Sequence, residues 1–448
     1  MKLQKADRPD LTLDQLRAMM TAAGAKRILM KDLAPNDNAK NQPYLSGSID
    51  VTNILPAGDV YVDQTKDGNR IMKAALPLFW LQPDGSTHPA PHAKLILYPQ
   101  YPEVRFSGFL RGSVNAPNEI LTTRIPGRRL FFGITDDQRI IGWASWAEDA
   151  LSKNVDALGE LEPEGVFRRI PLAGEPKDSY SLLLAEIRRI HMLDWIAGKR
   201  MSGGLVRPYN ASNGIGYTLE AELGISNNGV AGPDFEGWEV KAAQVPNFHS
   251  IPNSKKNTLL TPEPDGGEYT GMSLLEFVTQ FGYADKNDVE DRLNFGGQFK
   301  VGKRHTLTGL TTHLLGFNSV AGEVDDIDGK FVLANDAGLE VASWSFKKLL
   351  THWNKKHAKA VYLPGEIRKS GGTEYRYGSL AYLGEGTDFN KFLSALSSGR
   401  VFFDPGMKVE QASSAMPKPK KRSQFRIVWK DIPSLYHKLT VTDVLAGT

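Results

Sequence analysis

The spacing of apolar positions divides the chain into a first part made of strand-like runs and a second part in which helical and strand periods alternate. From residue 1 to about 150, short apolar stretches (RILMKDL, AALPLFWL, AKLILYP, EVRFSGFL, RRLFFGIT and RIIGWASW) are broken by Gly, Pro and Asn, the pattern of strands joined by turns. A β-rich domain over 1–150 is predicted. In the next stretch, 151–177, periodicity dissolves into LGELEPEGVFRRIPLAGEP, whose prolines, glycines and acids predict a linker. A second domain is expected over 178–448. It opens with a helix predicted over Ser179–Lys199, where Leu182, Leu183, Ile187, Ile190, Leu193 and Ile196 recur near helical spacing and Asp178 can cap the start. The remainder mixes helices and strands, so the expected fold class is multi-domain α+β. No internal repeat or heptad pattern is visible, and AMPKPKKRS at 415–423 is the one biased segment.

The most informative stretch is NGIGYTLEAELGISNNGVAGPDFEGWEVKAAQ, residues 213–244. Within WEVKA the alternation of a strand puts Glu239 and Lys241 on one face and Trp238 and Val240 on the other, core-facing side. Asp234 lies five residues before Glu239, across a turn that Gly237 makes easy, and can bring a second carboxylate to the same end of the strand. Two hard anionic ligands and an amine then converge. Phosphodiester hydrolysis needs charge neutralised on the phosphate and a water held in line. Asp234 and Glu239 suit Mg2+, which prefers carboxylate oxygens and retained waters, and Lys241 suits orientation of the water and stabilisation of negative charge. Upstream, YTLEAELG predicts a short helix with Leu219 and Leu223 on one face and Gly224 at its end. Either Glu220 or Glu222 could turn toward the site. Spacing alone is weak, since D-x4-E-x-K arises by chance in roughly one chain in ten of this length, and a Glu and Lys two apart on a strand are commonly an exposed ion pair.

Composition narrows the possibilities. The 448 residues, 41% hydrophobic, are long enough for two or three cores. No run approaches the apolar length of a membrane span, and the N-terminus does not read as a signal peptide, so the expected compartment is the cytoplasm. The absence of cysteine excludes disulfides, thiolate zinc sites and cysteine nucleophiles. A net charge of +3 is too mild to indicate a nucleic-acid partner, but its distribution is uneven. Between Arg400 and Lys430 eight lysines and arginines face two acids, Asp404 and Glu410, which predicts a phosphate-facing surface.

The longer span NGIGYTLEAELGISNNGVAGPDFEGWEVKA resembles the active-site region of the MvaI/BcnI restriction endonucleases and, more distantly, of the mismatch-repair nicking enzyme MutH. The resemblance continues through 342–363 and 423–436. It implies a MutH-like nuclease domain in which a glycine-led helix supplies a glutamate, Glu220, to join Asp234, Glu239 and Lys241 around Mg2+. It also implies a base-reading lobe that draws on the segment before FRI, here Lys420, Lys421 and Arg422, and on Arg426 within it, with Lys418 beside them as a DNA contact suited to phosphate. Related enzymes place histidines there and this chain has none, which leaves base identity open. Read without the resemblance, KPKKR is equally a solvated loop or a nonspecific phosphate patch. The segments 26–47 and 103–113 resemble the effector-binding domain of EcoRII, a DNA-binding pseudobarrel that grips the major groove with two loops. The matching positions are Lys31, Asn36, Asp37, Asn38 and Lys40 in one loop and Arg105, Ser107 and Arg111 in the other. Together the two resemblances suggest an architecture similar to that of the enzyme UbaLAI.

These resemblances imply a type IIE-like restriction endonuclease. It would act as a monomer on double-stranded DNA at a short GC-rich site such as CCWGG, bind a second copy of the site through its N-terminal domain, and be accompanied by a cognate methyltransferase. The alternatives are a MutH-like repair nickase and a DNA-binding regulator without catalysis; intact Asp234, Glu239 and Lys241 argue against the regulator.

Overall fold

The computed structural model describes residues 9–35, 42–46, 54–65, 67–98, 103–172, 178–211, 213–225, 234–248, 251, 254–354, 359–369 and 371–446. It is a mixed α and β, sheet-rich fold.

Every strand-like run of the first 150 residues contributes a strand, and in AALPLFWL the proline separates Arg70–Ala75 from Leu78–Leu81. The strands form two sheets. One has seven strands in the order Pro163–Glu164, Phe167–Ile170, Ala25–Leu33, Arg128–Thr135, Ile140–Ser145, Leu78–Leu81 and Thr87–Pro89. The other has five: Tyr44–Ser46, Glu103–Ser107, Lys94–Tyr98, Arg70–Ala75 and Tyr61–Gln64. The two-residue period of a strand explains how the seven-stranded sheet serves two cores. Ile28, Met30, Phe131 and Ile141 pack on one side with Leu16 and Met20 of helix Leu13–Ala22 and Leu151 and Val155 of helix Ala150–Asp156. Leu29, Leu130, Phe132 and Ile140 belong to a separate core cluster.

The stretch 151–177, expected as a linker, carries most of the helix Ala150–Asp156 and adds two strands to this sheet. Pro163–Glu164 and Phe167–Ile170 form a hairpin that extends it, with Ile28 opposite Ile170. The glycine that suggested a connector is the turn of that hairpin, with Gly165 at φ +59. Phe167 and Ile170 anchor it, each only 1% exposed.

The helix expected over Ser179–Lys199 spans Ser179–Met192, capped at its start by Asp178, whose carboxylate accepts from the Ser181 N–H. It stops early because Asp194 adopts φ +53 and Ile196 enters a strand, while Leu193 remains 47% exposed. With helix Gly214–Glu222 it covers a six-stranded sheet, where Leu183, Ile187, Ile215 and Leu219 meet Trp238, Val240, Val361 and Leu363. In that sheet Ile196–Ala197, Thr373–Tyr377, Lys359–Lys369, Leu380–Glu385 and Lys438–Asp443 follow one another, and Glu239–Gln244 runs parallel to Lys359–Lys369.

The two longest excursions of the chain from this sheet, after Gln244 and after Glu385, pair with each other. Lys256–Leu260 pairs with Phe425–Val428, which pairs with Val401–Phe403; Arg292–Gly296 pairs with Gly406–Glu410, which pairs with Lys418–Lys420. Their shared centre is aromatic, with Trp344 and Phe403 centroids 4.5 Å apart and Phe331 and Phe425 at 5.3 Å. Among the described residues no helix is long and apolar enough to cross a membrane.

Candidate active site

Phe235, Glu236, Gly237 and Trp238 form a two-residue hairpin. The Trp238 N–H donates to the Phe235 carbonyl at 2.7 Å and the Phe235 N–H to the Trp238 carbonyl at 2.9 Å. Both central residues lie at positive φ, +48 for Glu236 and +85 for Gly237, as a type I′ turn demands. Glycine adopts this freely; the left-handed geometry costs a non-glycine residue such as Glu236 on the order of 1–2 kcal/mol. The turn folds Asp234 back onto the following strand, where its Oδ2 accepts from the Val240 N–H at 2.9 Å. Glu239 and Lys241 share the expected face: Lys241 Nζ donates to Glu239 Oε1 at 2.9 Å. Glu239 is 3% exposed. On the opposite face Trp238 and Val240 are buried, and the Trp238 indole N–H donates to Ser179 Oγ at 3.3 Å.

Beneath the strand, Tyr362 stands opposite Lys241 in the parallel register, and its hydroxyl meets that of Tyr436 at 2.9 Å, both rings buried. Burial pushes both phenols well above their ordinary range, and the Glu239 charge pushes in the same direction. They therefore stay neutral and form an uncharged floor to the site. Sequence reasoning did not single them out, although both lie in the stretches 342–363 and 423–436.

The helix over Gly214–Glu222 packs against the strand Glu239–Gln244. Its first residue, Gly214, lies close to another strand of the sheet, Thr373–Tyr377, where an added Cβ would lie 2.3 Å from the Tyr375 hydroxyl. Of its two glutamates, Glu222 is committed elsewhere, 2.5 Å from Lys199 and 3.5 Å from Arg189. Glu220 is half-buried and adds, with Glu222, to the upward push that burial exerts on the Tyr377 hydroxyl. Asp234, Glu239 and Lys241 are thus brought to one hairpin end. Among the described residues no three His, Cys, Asp or Glu side chains gather as a metal group, and Glu220 does not join the two carboxylates in one. The two carboxylates that do assemble, beside an amine, are hard oxygen ligands and fit a magnesium-type cation.

The basic segment is more structured than a solvated loop. Lys418–Lys420 is an exposed strand, and Glu410 bridges Lys408 and Lys420 at 2.5 and 3.1 Å. Hydrogen bonds from those two lysines pull the Glu410 carboxyl down to about 2. Lys421 lies over the Tyr269 ring at 5.6 Å, and Arg422 is exposed. Arg426 differs from them. Its guanidinium donates to Asp404 at 3.0 Å and to the Lys256 carbonyl at 3.3 Å, and Lys256 also reaches Asp404, at 2.9 Å. Asp404 is 8% exposed, so Arg426 is a strut between strands.

In the N-terminal part, Lys31 is half-buried and burial pulls its ammonium down, against the Asp32 charge. Arg105 is clamped by the Glu103 carboxylate and lies 5.1 Å from the centre of the Tyr98 ring. Ser107 is buried, with the Gln42 side-chain amide donating to its Oγ at 2.7 Å. Arg111 is exposed. Asn36, Asp37, Asn38 and Lys40 lie outside the described residues.

Residues 184–436, more than half of the chain, match the MvaI/BcnI restriction endonuclease family. Two solved structures are similar at 16% identity, each over 60% of this chain. A restriction endonuclease MvaI–cognate DNA substrate complex is covered over 99% of its length with a TM-score of 0.44. Restriction endonuclease MvaI in the absence of DNA is covered over 98% with a TM-score of 0.32. No curated protein sequence matches the chain.

Proposed function

The chain belongs to the MvaI/BcnI restriction endonuclease family, and from that premise we propose that it is a type IIE-like enzyme cutting both strands of DNA at a short GC-rich site such as CCWGG. The observation that carries the reading is the convergence of Asp234, Glu239 and Lys241 at one hairpin end, inside the matched segment. Members of the family generally use a divalent metal. Asp234 and Glu239 would hold Mg2+, and Glu220, which stands apart from them, would have to move to reach it. When bound, that ion neutralises charge on the scissile phosphate and makes water more acidic. Glu239 Oε1 fixes the Lys241 ammonium through one of its three N–H donors, and the amine steadies the attacking water and the charge that develops on the phosphate. The aromatic-centred lobe, with Arg422 and Lys421 at its exposed basic edge, would read bases, and Lys418 and Lys420 would meet phosphates. The N-terminal sheets would form the pseudobarrel that binds a second copy of the site through Lys31, Arg105, Arg111 and residues 36–40. A cognate methyltransferase would protect host DNA.

The test is cleavage of plasmid DNA in Mg2+ with sequencing of the cut ends. A monomer working one strand at a time accumulates nicked circles before linear product, and defined ends mark a restriction enzyme. Nicking that stops there supports a repair nickase, and binding without cutting supports a regulator.

A further inference from the structure

The strained turn of the site is gripped by the other half of the protein. Arg169, on the edge hairpin of the seven-stranded sheet and opposite Leu29 in its register, is 4% exposed. Its guanidinium forks onto Glu236, pairing with the carboxylate and donating to the backbone carbonyl, the latter at 3.3 Å. A second pair lies against the next residue. Arg27 and Glu164, 13% and 6% exposed and bound to each other, stand so close to Gly237 that an added Cβ would lie 3.0 Å from Arg27 Nη1. Arg27 is held in turn by the Ile54 carbonyl at 3.1 Å. N-terminal groups therefore hold Glu236 and stand beside Gly237, the two residues at positive φ whose geometry turns Asp234 back toward Glu239.

We propose that Arg169 is a positioning residue for the carboxylates, clamping Glu236 in its left-handed conformation so that the N-terminal sheet holds the cation-binding hairpin in shape. The inference rests on the nuclease reading of Asp234 and Glu239. The planar guanidinium holds its donors in a fixed fork that meets the carboxylate and the carbonyl together, where a lysine offers a single ammonium on a flexible stem, and groups that orient a metal's ligands commonly change metal affinity by about 10- to 100-fold. A glycine at 236 would adopt the turn without the clamp.

The experiment uses the full-length protein without DNA and follows Mn2+ binding by calorimetry and electron paramagnetic resonance, beside the Mg2+ dependence of cleavage. Arg169→Ala should weaken Mn2+ binding by about tenfold or more and raise the Mg2+ requirement in parallel, and Arg169→Lys should recover only part. Arg169→Ala combined with Glu236→Gly should return close to wild-type affinity, a rescue that a general packing role for Arg169 would not give. Wild-type Mn2+ affinity in Arg169→Ala, or a double variant as weak as the single one, overturns the proposal. If Arg169→Ala does not fold, Glu236→Gln takes its place: it must weaken Mn2+ binding, and wild-type affinity there overturns the clamp equally. A wild-type protein that neither binds Mn2+ nor cuts DNA refutes the nuclease reading itself. One that does both beside unaffected variants refutes only the clamp.

Discussion

Arg422 and Arg426 lie four residues apart in the same basic segment, yet the structure separates their roles enough to be measured. Arg426→Ala removes one of the two cations on Asp404 and the bond to the Lys256 carbonyl. A hydrogen bond to a charged partner contributes about 1.5–3 kcal/mol. Lys256 remains on Asp404, so the loss should stay in that range and not reach the roughly 3–5 kcal/mol of an abandoned buried charge. Arg422→Ala, at an exposed side chain, should change stability by less than about 0.5 kcal/mol. If it reads a base, it should instead cost about 1–3 kcal/mol of discrimination. Urea denaturation gives the first quantity. Fluorescence anisotropy in Ca2+, comparing cognate with single-substitution duplexes, gives the second. The reasoning fails if Arg426→Ala unfolds at the wild-type midpoint while losing specificity, or if Arg422→Ala loses stability and keeps its discrimination.

Asp234→Ala and Glu239→Ala should each abolish cleavage while leaving DNA binding largely intact, and Lys241→Ala should be similarly inactive; near wild-type cutting by any of them in a plasmid assay would show that the site is misassigned. Two-site DNA should be cut faster than one-site DNA, and an uncleavable cognate duplex added in trans should accelerate cutting. Arg111→Ala should erase that acceleration and spare basal activity, and identical rates under all these conditions would leave the N-terminal sheets without an effector role. The Glu410 carboxyl, drawn down to about 2 by Lys408 and Lys420, is depressed in the folded state, so its favourable pairing is complete above its ordinary value near 4.5 and is lost as pH falls toward 2. A carbon-detected NMR titration of Glu410 checks this, and a midpoint near 4.5 would refute it.

Legibility in the sequence followed the range of the forces involved. Alternation placed Glu239 and Lys241 on one face and Trp238 and Val240 on the other because strand geometry is local, and apolar runs located the strands of the first 150 residues for the same reason. The hairpin at 163–170 reads as a linker because the prolines, glycines and acids in and around it outweigh two apolar anchors, Phe167 and Ile170, whose burial depends on a strand more than 130 residues earlier. Helix Ser179–Met192 was overextended because apolar spacing continues past it into a strand. The choice between Glu220 and Glu222 was open in the sequence; Lys199 and Arg189 withdraw Glu222. Arg426 looked like its basic neighbours, and only the long-range pairing with Asp404 and Lys256 sets it apart. The grip of Arg169 on Glu236 has no local signature at all.

The parallel pairing that carries the carboxylates joins Glu239 to Ala360, so the chain between them must close a loop of about 120 residues. Closure entropy grows only logarithmically with loop length, yet contacts so distant in sequence slow folding because the ordering precedes the reward. The intervening excursion is itself pinned by strands 406–410 and 425–428 and by a bridge from Phe299 to Phe403, all of which leave a ribosome later still. During synthesis the Asp234 hairpin emerges long before the strand it docks on. A chain that could cut DNA while half made would endanger the cell making it. This topology withholds the docked site until the strand Lys359–Lys369 has emerged.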